Sequence, residues 1–425
     1  MYGEHKSREG DAAEVGQAVG TACPPGNLRE ETNTNRSSKI DTKGRNNDIE
    51  ILRGISIIIV IIDHILAISQ APVIIRFTND IFSFWGGVDL FFAISGFVIG
   101  STLLRQDGGN ISFSDKIAGL AAFWIRRIWR LWPAAWFWLA APLALGLITI
   151  PDFQSWAVRR ELFASLIGGL LNVVNIQQWA FNSGSGMGNP LWGQYWSLSL
   201  EQQLYLLNAP MLLFMKRRHL ISVLTLIILC QFFLNRPANS GNIWWFVRSD
   251  AFAWGVLLAV FLSNPISKAI LEPSLLARKW AAWIVLTISL LGLISTQLLY
   301  SVPFQVGIMA FLSAILVYAA SYDKKYLGVS GIMAKLFLWL GERSYGIYLC
   351  HGSVIVFLLH VAPYNRLDRG NLQNLIFIAA AILVVTLVLA ELSYRIIELP
   401  ARLYGRNLAR LYQSKINMIH SKRIS

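Results

Sequence analysis

An arginine and a histidine lie eleven residues apart in an apolar segment of the chain. Arg53 is followed by a run dominated by isoleucine and valine that ends at Asp63 and His64. At about 100° per residue, eleven steps return to within about 20° of the starting direction, so a helix carries Arg53 and His64 on one face, about 16 Å apart along its axis. Ionisable groups inside an apolar helix are costly and usually functional. The pair predicts a fixed cation near one end of a helix face and a titratable base deeper along it.

The composition indicates an integral membrane protein. Hydrophobic residues make up 55% of the 425 residues and charged residues 14%, whereas soluble proteins have about 25% charged residues. The basic residues behind the net charge of +13 mostly flank apolar runs. This arrangement is typical of the positive-inside pattern of membrane proteins and does not favour a nucleic-acid partner. The three cysteines have neither disulfide nor metal-ligand spacing, and no metal site is predicted.

Apolar runs predict an all-α polytopic membrane protein with about ten transmembrane helices around a polar central pore. The predicted spans are 54–69, 84–104, 133–150, 196–215, 220–235, 247–262, 281–299, 305–320, 337–360 and 373–397. Residues 1–48 have the composition of a disordered cytoplasmic tail, 49–405 form the membrane domain, and 406–425 form a basic cytoplasmic tail. A short apolar run, 162–174, is interpreted as a re-entrant or surface segment, which places both termini in the cytoplasm.

Several motifs follow one another in a characteristic order along the chain. They are Arg53 with His64, then the segments 86–97, 123–133, 195–205, 248–255 and 341–351, and finally Glu391 with 394–400. This order resembles the acyltransferase 3 family of bacterial integral-membrane O-acyltransferases over about residues 49–405. The resemblance implies transfer of an acyl group, most often acetyl, from cytoplasmic acetyl-CoA to a hydroxyl of a cell-envelope carbohydrate. Some members carry a fused extracytoplasmic esterase-like domain, and we expect a stand-alone form here.

His64, Glu201 and Arg53 are the expected catalytic residues. Arg53 either holds the lower part of the cofactor or pairs with an internal carboxylate, and Glu201 is either the partner of His64 or a polar contact between helices. His64 either acts as general base on an acceptor hydroxyl or carries the acyl group transiently. Glu201 lies near the start of a span that we expect to begin at the outer side, so the two side chains are predicted to meet in the outer half of the membrane. A buried carboxylate there raises the basicity of the imidazole. Asp63 points about 100° away from His64 and is expected to have a supporting role.

Arg126, Arg127 and Arg130 lie just before Pro133, where we expect a helix break at the cytoplasmic side. A guanidinium group can bind a phosphate through two parallel hydrogen bonds. Basic residues are also common at the inner ends of spans in membrane proteins generally. The family resemblance favours binding of the CoA phosphates by these three arginines, with the pantetheine arm directed from them toward His64.

Other polar residues are candidates for the pore or the acceptor site. Asp89 and Asp250, the latter near Arg248, are either structural ion pairs or acceptor-site groups. Ser344, Tyr348 and His351 form one helical stripe that lines the pore or a packing seam. Trp196 stacks on a sugar ring or anchors the chain at the membrane interface. The pairs at 86–87 and 95–96 are interpreted as packing positions.

Two classes of function fit these residues. The first is an acetyl-CoA-dependent O-acyltransferase in the bacterial cytoplasmic (inner) membrane, multi-pass, acting on O-antigen, exopolysaccharide or another glycan. The alternative is a proton-coupled transporter or flippase for an envelope precursor, with Asp63, His64 and Glu201 as a proton relay. The alternative does not account for the arginine triplet. Either protein has the lipid bilayer as a partner, and the sequence indicates no oligomeric state.

Overall fold

The structure, a computed structural model, describes eight stretches of the chain. They are residues 45–68, 81–105, 112–149, 156–184, 193–237, 241–295, 302–360 and 367–424. Most of the tail predicted for 1–48 lies outside these residues. The helices belong to one unit, Asn46–Ser425.

Fifteen α-helices and no β-strand occur in the described residues. In chain order they are α1 (Asn47–Ala67), α2 (Gly86–Leu104), α3 (Phe113–Thr149), α4 (Trp156–Leu171), α5 (Val174–Asn182), α6 (Tyr195–Phe214), α7 (Arg217–Phe232), α8 (Ile243–Phe246), α9 (Asp250–Leu262), α10 (Pro265–Ile270), α11 (Lys279–Ile294), α12 (Gln305–Ser321), α13 (Gly331–His360), α14 (Leu372–Ser393) and α15 (Leu399–Ile424). A 3₁₀ turn, Ser274–Ala277, precedes α11 and a π turn, Tyr394–Glu398, joins α14 to α15. The all-α prediction is confirmed for this part of the chain.

Helix α1 runs between two ends of the fold. The start of α1 lies beside the end of α12, where Asn46 Nδ2 donates to a backbone carbonyl at 2.8 Å. The end of α1 lies beside the start of α2, where the backbone N–H of Phe84 donates to Asp63 Oδ1 at 3.0 Å. Because α1 carries Arg53 toward the first end and His64 toward the second, we name them the arginine end and the histidine end.

Helix α2 packs closely against α9. A Cβ atom added at Gly96 would overlap the carbonyl of Phe252, and one added at Gly255 would overlap the carbonyl of Ala93. Glycine at both positions therefore allows the two backbones to approach each other. The predicted packing role of Gly96 is confirmed.

The break predicted at Pro133 is wrong. Helix α3 runs without interruption through Pro133 and Pro142. Pro133 removes the hydrogen bond that would end at the carbonyl of Trp129, and side chains of other helices bind α3 on both sides of the proline. Tyr345 OH donates to the carbonyl of Leu131 at 2.7 Å, and Tyr195 OH donates to that of Ala135 at 3.1 Å. Helix α3 therefore extends from the basic segment into the fold as one element.

The number of membrane spans stays a prediction. Among the described residues, two helical stretches are long and apolar enough to cross a membrane, Gly86–Leu104 and Leu372–Ile416. The other apolar helices are shorter, as is Asp250–Leu262, or carry several charges, as does α1. Length and composition alone do not distinguish such helices from buried helices of a soluble protein.

Large apolar side chains are nevertheless exposed on one side of several helices. They include Leu226, Leu229 and Phe233 near α7, Trp280, Trp283, Ile284 and Ile288 on α11, and Ile376, Phe377, Val384 and Val388 on α14. Soluble monomers rarely expose apolar patches of this extent. These surfaces are compatible with insertion of the helices into a bilayer.

The chain remains helical beyond residue 397, where the last predicted span ends. Apart from the π turn, the chain is helical from Leu372 to Ile424. The rings of Trp129 on α3 and Tyr404 on α15 lie 4.5 Å apart, and a Cβ at Gly405 would overlap the Trp129 side chain. The C-terminal residues predicted as a basic tail therefore continue α15, and the beginning of α15 packs against α3.

A buried carboxyl group connects the start of α1 to the loop after α12. Asp48 lies before the first predicted span, and its Oδ2 accepts from the backbone N–H of Lys325 at 2.8 Å. Burial raises the pKa of the Asp48 carboxyl from 3.8 to about 6, although this hydrogen bond opposes the shift. The folded state is therefore more stable when the Asp48 carboxyl is protonated than when it is ionised.

Asp48→Asn is expected to reduce the pH dependence of stability. Because the folded-state pKa lies above the unfolded value of about 4, the contribution of Asp48 is fully present below that value and is lost as the pH rises through about 6. The wild-type unfolding free energy should fall by on the order of 1–2 kcal/mol across this window, and less so in the variant. Unfolding in detergent at several pH values measures this, and equal slopes for both proteins would contradict it.

Candidate active site

A cavity of about 80 Å³ is enclosed by five helices, α1, α2, α3, α6 and α13. Its polar lining consists of Arg53, Ser95, Arg127, Arg130, Ser197, Glu201, Tyr205, Ser344, Tyr345 and Tyr348. The space holds a few water molecules, so a larger ligand requires movement of the lining side chains. Six residues singled out from the sequence meet here: Arg53, Arg127, Arg130, Glu201, Ser344 and Tyr348.

Glu201 lies with the arginines of the cavity and not with His64. Its Oε1 accepts hydrogen bonds from Ser95 Oγ and Tyr205 OH. The guanidinium of Arg127 lies 5.0 Å from the Tyr205 ring centroid. No contact between Glu201 and His64 occurs in the described part of the chain. The two side chains therefore do not make the predicted direct contact, because Glu201 faces the middle of α2 while His64 lies near the end of α1. The catalytic roles of Glu201 and His64 stay predictions.

The ring neighbour of His64 is a second histidine. The ring centroids of His64 and His351 are 4.8 Å apart, with an interplanar angle of 78°. His64 Nδ1 lies 2.8 Å from the carbonyl oxygen of Val60, which can only accept. We therefore assign the proton to Nδ1, which leaves Nε2 with the lone pair that a general base or a nucleophile needs.

His351 has the same arrangement. Its Nδ1 lies 2.7 Å from the carbonyl of Tyr348, and its buried Nε2 has no hydrogen-bond partner among the described residues. Both imidazoles thus direct their Nδ1–H to their own helix and keep Nε2 available.

The predicted stripe on α13 connects the cavity to the two histidines. Ser344 and Tyr348 line the cavity. Tyr348 OH shares a hydrogen bond with Ser197 Oγ and donates to the carbonyl of Gln194 at 2.7 Å. The rings of Tyr348 and His351 are 5.5 Å apart. A continuous line of polar side chains therefore leads from the arginine end to His64.

The arginines divide into two groups. Arg127 and Arg130 line the cavity, whereas Arg126, one residue earlier on α3, does not. Arg53 forms a salt bridge with Glu50 at 2.7 Å. Within the described residues, Arg127 and Arg130 form no salt bridge with a carboxylate, although both lie in a confined, charged site. Glu201 is an electrostatic neighbour of Arg127, and Glu50 is one of Arg130, but both guanidinium groups can still form charge-assisted hydrogen bonds with an anionic ligand.

Asp89 and Asp250 belong to buried ion pairs near the histidine end, away from the cavity. Asp250 pairs with Arg236 through two hydrogen bonds of 3.1 and 2.6 Å and not with Arg248, its neighbour in the sequence. Arg248 Nε lies 3.4 Å from Asp89 Oδ1. All four side chains are almost completely buried. These contacts give the two aspartates structural partners.

Trp196 takes part in the same cluster. The Arg248 guanidinium lies 3.9 Å from the Trp245 ring centroid and 5.0 Å from that of Trp196. Trp196 therefore packs against a buried cation and does not line the cavity. Asp63, which binds the Phe84 backbone, holds the junction of α1 and α2.

Asp250→Ala is expected to destabilise the protein by about 3–5 kcal/mol, because it leaves the Arg236 guanidinium buried without its partner. Denaturant unfolding of the detergent-solubilised protein measures the loss. The double variant Asp250→Leu, Arg236→Met should recover much of it, since both charges are removed together. A loss below about 1 kcal/mol for Asp250→Ala, as for exposed pairs, would contradict this.

Comparison with known families decides the class of the protein. The family model described as "Acyltransferase domain" matches residues 46–394. The chain belongs to the acyltransferase 3 family. The resemblance carried by the sequence motifs is thereby confirmed, and every residue lining the cavity lies inside the matched range.

Three curated relatives illustrate the similarity within the acyltransferase 3 family. YrhL of Bacillus subtilis is 30% identical over 352 residues, which cover 75% of this chain and 50% of YrhL. The O-acetyltransferase OatA of Staphylococcus aureus is 28% identical over 343 residues, which cover 75% of this chain and 53% of that protein. The peptidoglycan O-acetyltransferase OatA of Listeria monocytogenes is 28% identical over 339 residues, which cover 75% of this chain and 51% of that protein. The chain spans about half the length of these relatives. No solved structure matches it.

Sequence reasoning missed some partners of this acyltransferase 3 site. Ser95 was assigned to packing, yet it donates to Glu201. Arg236 precedes α8 by several residues, and nothing in the sequence pairs it with Asp250. Arg402, which lies after the family match ends, is an electrostatic neighbour of Arg127 and Arg130. Each of these contacts joins segments whose proximity depends on the tertiary fold.

Proposed function

We propose that the protein transfers an acetyl group from acetyl-CoA to a hydroxyl of a cell-envelope carbohydrate. The observation that carries this proposal is the line of polar groups from Arg53, Arg127 and Arg130, through Tyr348, to His351 and His64. Cations at one end suit the phosphates of the donor, and an imidazole Nε2 at the other suits an acceptor hydroxyl.

The donor enters at the arginine end, which faces the cytoplasm in this proposal. The pyrophosphate and 3′-phosphate of CoA meet Arg127 and Arg130, whose guanidinium groups form no salt bridge with a carboxylate of the described residues. The pantetheine arm follows the cavity past Glu201 and Tyr348, and the thioester reaches His64 after rearrangement of the lining side chains. Arg53, already paired with Glu50, contributes positive potential.

The chemical step uses His64 as general base. Nε2 of His64 takes the proton of the acceptor hydroxyl as its oxygen attacks the thioester carbonyl. The new C–O ester bond forms, the C–S bond breaks, and CoA leaves as a thiolate that is protonated subsequently. Transient acylation of His64 uses the same Nε2 and remains the second route to the same products.

The acceptor is proposed from the chemistry named in the relatives, which are O-acetyltransferases of Staphylococcus aureus and Listeria monocytogenes. O-antigen, exopolysaccharide and other envelope glycans offer the same hydroxyl chemistry. The protein would lie in the bacterial inner membrane with about ten spans and both termini in the cytoplasm. The exposed apolar faces of α7, α11 and α14 support this placement.

A thioester-cleavage assay separates this proposal from the proton-coupled transporter or flippase. Purified protein, acetyl-CoA and envelope glycan are mixed, and free CoA is measured with a thiol reagent. We expect glycan-dependent CoA release together with alkali-labile acetyl on the glycan. Absence of release from a folded protein, with transport of the glycan precursor in vesicles, would favour the transporter.

A further inference from the structure

Arg402 lies where α15 packs against the basic segment of α3. The contact between the rings of Trp129 and Tyr404 and the close approach at Gly405 fix the start of α15 on α3. Arg402 is one turn or less from these contacts. This part of the chain follows residue 394, where the family match ends.

The charge of Arg402 acts directly on the cavity arginines. Arg402 is an electrostatic neighbour of Arg130 and of Arg127. Both effects are between like charges and therefore unfavourable. Arg53 acts on the same two residues. Four guanidinium groups from α1, α3 and α15 thus share one electrostatic site.

Neighbouring arginines form salt bridges, whereas Arg402 is an electrostatic neighbour of Glu398 without forming one. Arg343 pairs with Glu391 and with Glu342, and Arg395 pairs with Glu391 at 2.5 Å. Arg402 forms no salt bridge with any described residue. Its Nε is buried without a hydrogen-bond partner, and its guanidinium lies 5.8 Å from the Tyr394 ring centroid.

Three carboxylates lie near this group but leave positive charge uncompensated. Glu50 is paired with Arg53, and Glu201 accepts from Ser95 and Tyr205. The third, Glu398, accepts a hydrogen bond from Ser393 at 3.4 Å. Four cations and three carboxylates, none of which forms a salt bridge with Arg127, Arg130 or Arg402 in the described residues, leave a site suited to a multiply charged anion.

We propose that Arg402 is a fourth cation of the donor-phosphate site, supplied by the C-terminal helix. This inference rests on the proposed function, since the anion is the phosphate-bearing part of acetyl-CoA. Arg402 does not line the resting cavity; it extends the positive site beside Arg130. The first turn of α15, which lies at the end of the membrane domain predicted for 49–405, thereby becomes part of the donor site.

The test compares Arg402→Gln with Arg410→Gln, an exposed arginine two turns further along α15. CoA release is measured with acetyl-CoA, with acetyl-dephospho-CoA and with acetyl-pantetheine, which lacks both the pyrophosphate and the 3′-phosphate. We expect Arg402→Gln to raise KM for acetyl-CoA by about tenfold with little change in kcat, because uniform binding is lost. KM for acetyl-pantetheine should be unchanged, and Arg410→Gln should behave as wild type. The dephospho donor shows which phosphate Arg402 serves.

Equal losses with acetyl-CoA and acetyl-pantetheine would overturn the proposal in favour of a structural role, as would an unchanged KM for all donors. Should Arg402→Gln fail to fold, Arg402→Lys keeps the charge without the planar fork, and a KM increase confined to phosphate-bearing donors is again the expected result. Calorimetric binding of CoA to the wild-type protein distinguishes a failure of the proposed function from a failure of the role proposed for Arg402. A wild type that neither binds CoA nor cleaves the thioester contradicts the proposed function itself, whereas a wild type that does both leaves only Arg402 in question.

Discussion

Replacement of His64 by alanine is expected to lower the rate of acetyl transfer by about 10²–10⁴-fold, the range typical of losing a positioned general base. The reason lies in the hydrogen bond from Nδ1 to the Val60 carbonyl, which leaves Nε2 as the free basic nitrogen. Alanine removes that nitrogen while the helix is retained. The measurement is glycan-dependent CoA release by purified protein at saturating acetyl-CoA.

His219→Ala is the matched control, because His219 is an exposed histidine at the start of α7. It should retain the wild-type rate. Calorimetric binding of CoA should be nearly unchanged in His64→Ala, since the arginines proposed to bind the phosphates line the cavity and His64 does not. A His64→Ala protein that folds, binds CoA and still acetylates the glycan at the wild-type rate would falsify the assignment.

Replacement of Arg130 by glutamine is expected to raise KM for acetyl-CoA by about 10- to 100-fold with a smaller effect on kcat. Arg130 lines the cavity and has no salt bridge within the described residues. Loss of charge-assisted hydrogen bonds to a phosphate group affects ground state and transition state alike, which appears in KM.

Arg218→Gln provides the control for a lost surface charge, because Arg218 is exposed at the same end of the protein. Its KM should stay within about twofold of the wild type. Initial rates over a range of acetyl-CoA concentrations give both constants. A loss in kcat at unchanged KM for Arg130→Gln would place this arginine at the reacting atoms instead of at the phosphates.

Helical periodicity predicted part of this site well. Ser344 and Tyr348 line the cavity from one face of α13, and His351 continues that face to His64. A regular helix fixes these relations through its 3.6-residue period, so the sequence contains them. The juxtaposition of the two histidines was not predicted, because it depends on how α1 and α13 pack.

Relations between helices were the main source of error. Glu201 was paired with His64 on the basis of depth alone, whereas Ser95 and Tyr205 bind it nearer the arginines. Depth gives one coordinate of a side chain, and the rotation and neighbours of its helix give the others. The Arg236–Asp250 pair was not predicted from the sequence for the same reason.

Local rules also failed where tertiary contacts override them. Pro133 predicted a break, but α3 is continuous there, with Tyr345 and Tyr195 donating to its carbonyls. The energetic contribution of packing exceeds the local preference at this proline. The predicted basic tail after residue 405 lies in α15, whose beginning packs on α3.

The most direct test of the central proposal is vectorial acetyl transfer in reconstituted vesicles. The protein is inserted into liposomes with glycan trapped inside, and acetyl-CoA labelled in the acetyl group is added outside, with the His64→Ala protein in parallel. Transfer across the bilayer predicts alkali-labile label on the trapped glycan and free CoA outside, in wild-type vesicles alone. Label that stays on CoA while intact wild-type protein binds it, or labelling that is equal in His64→Ala vesicles, would contradict the proposal.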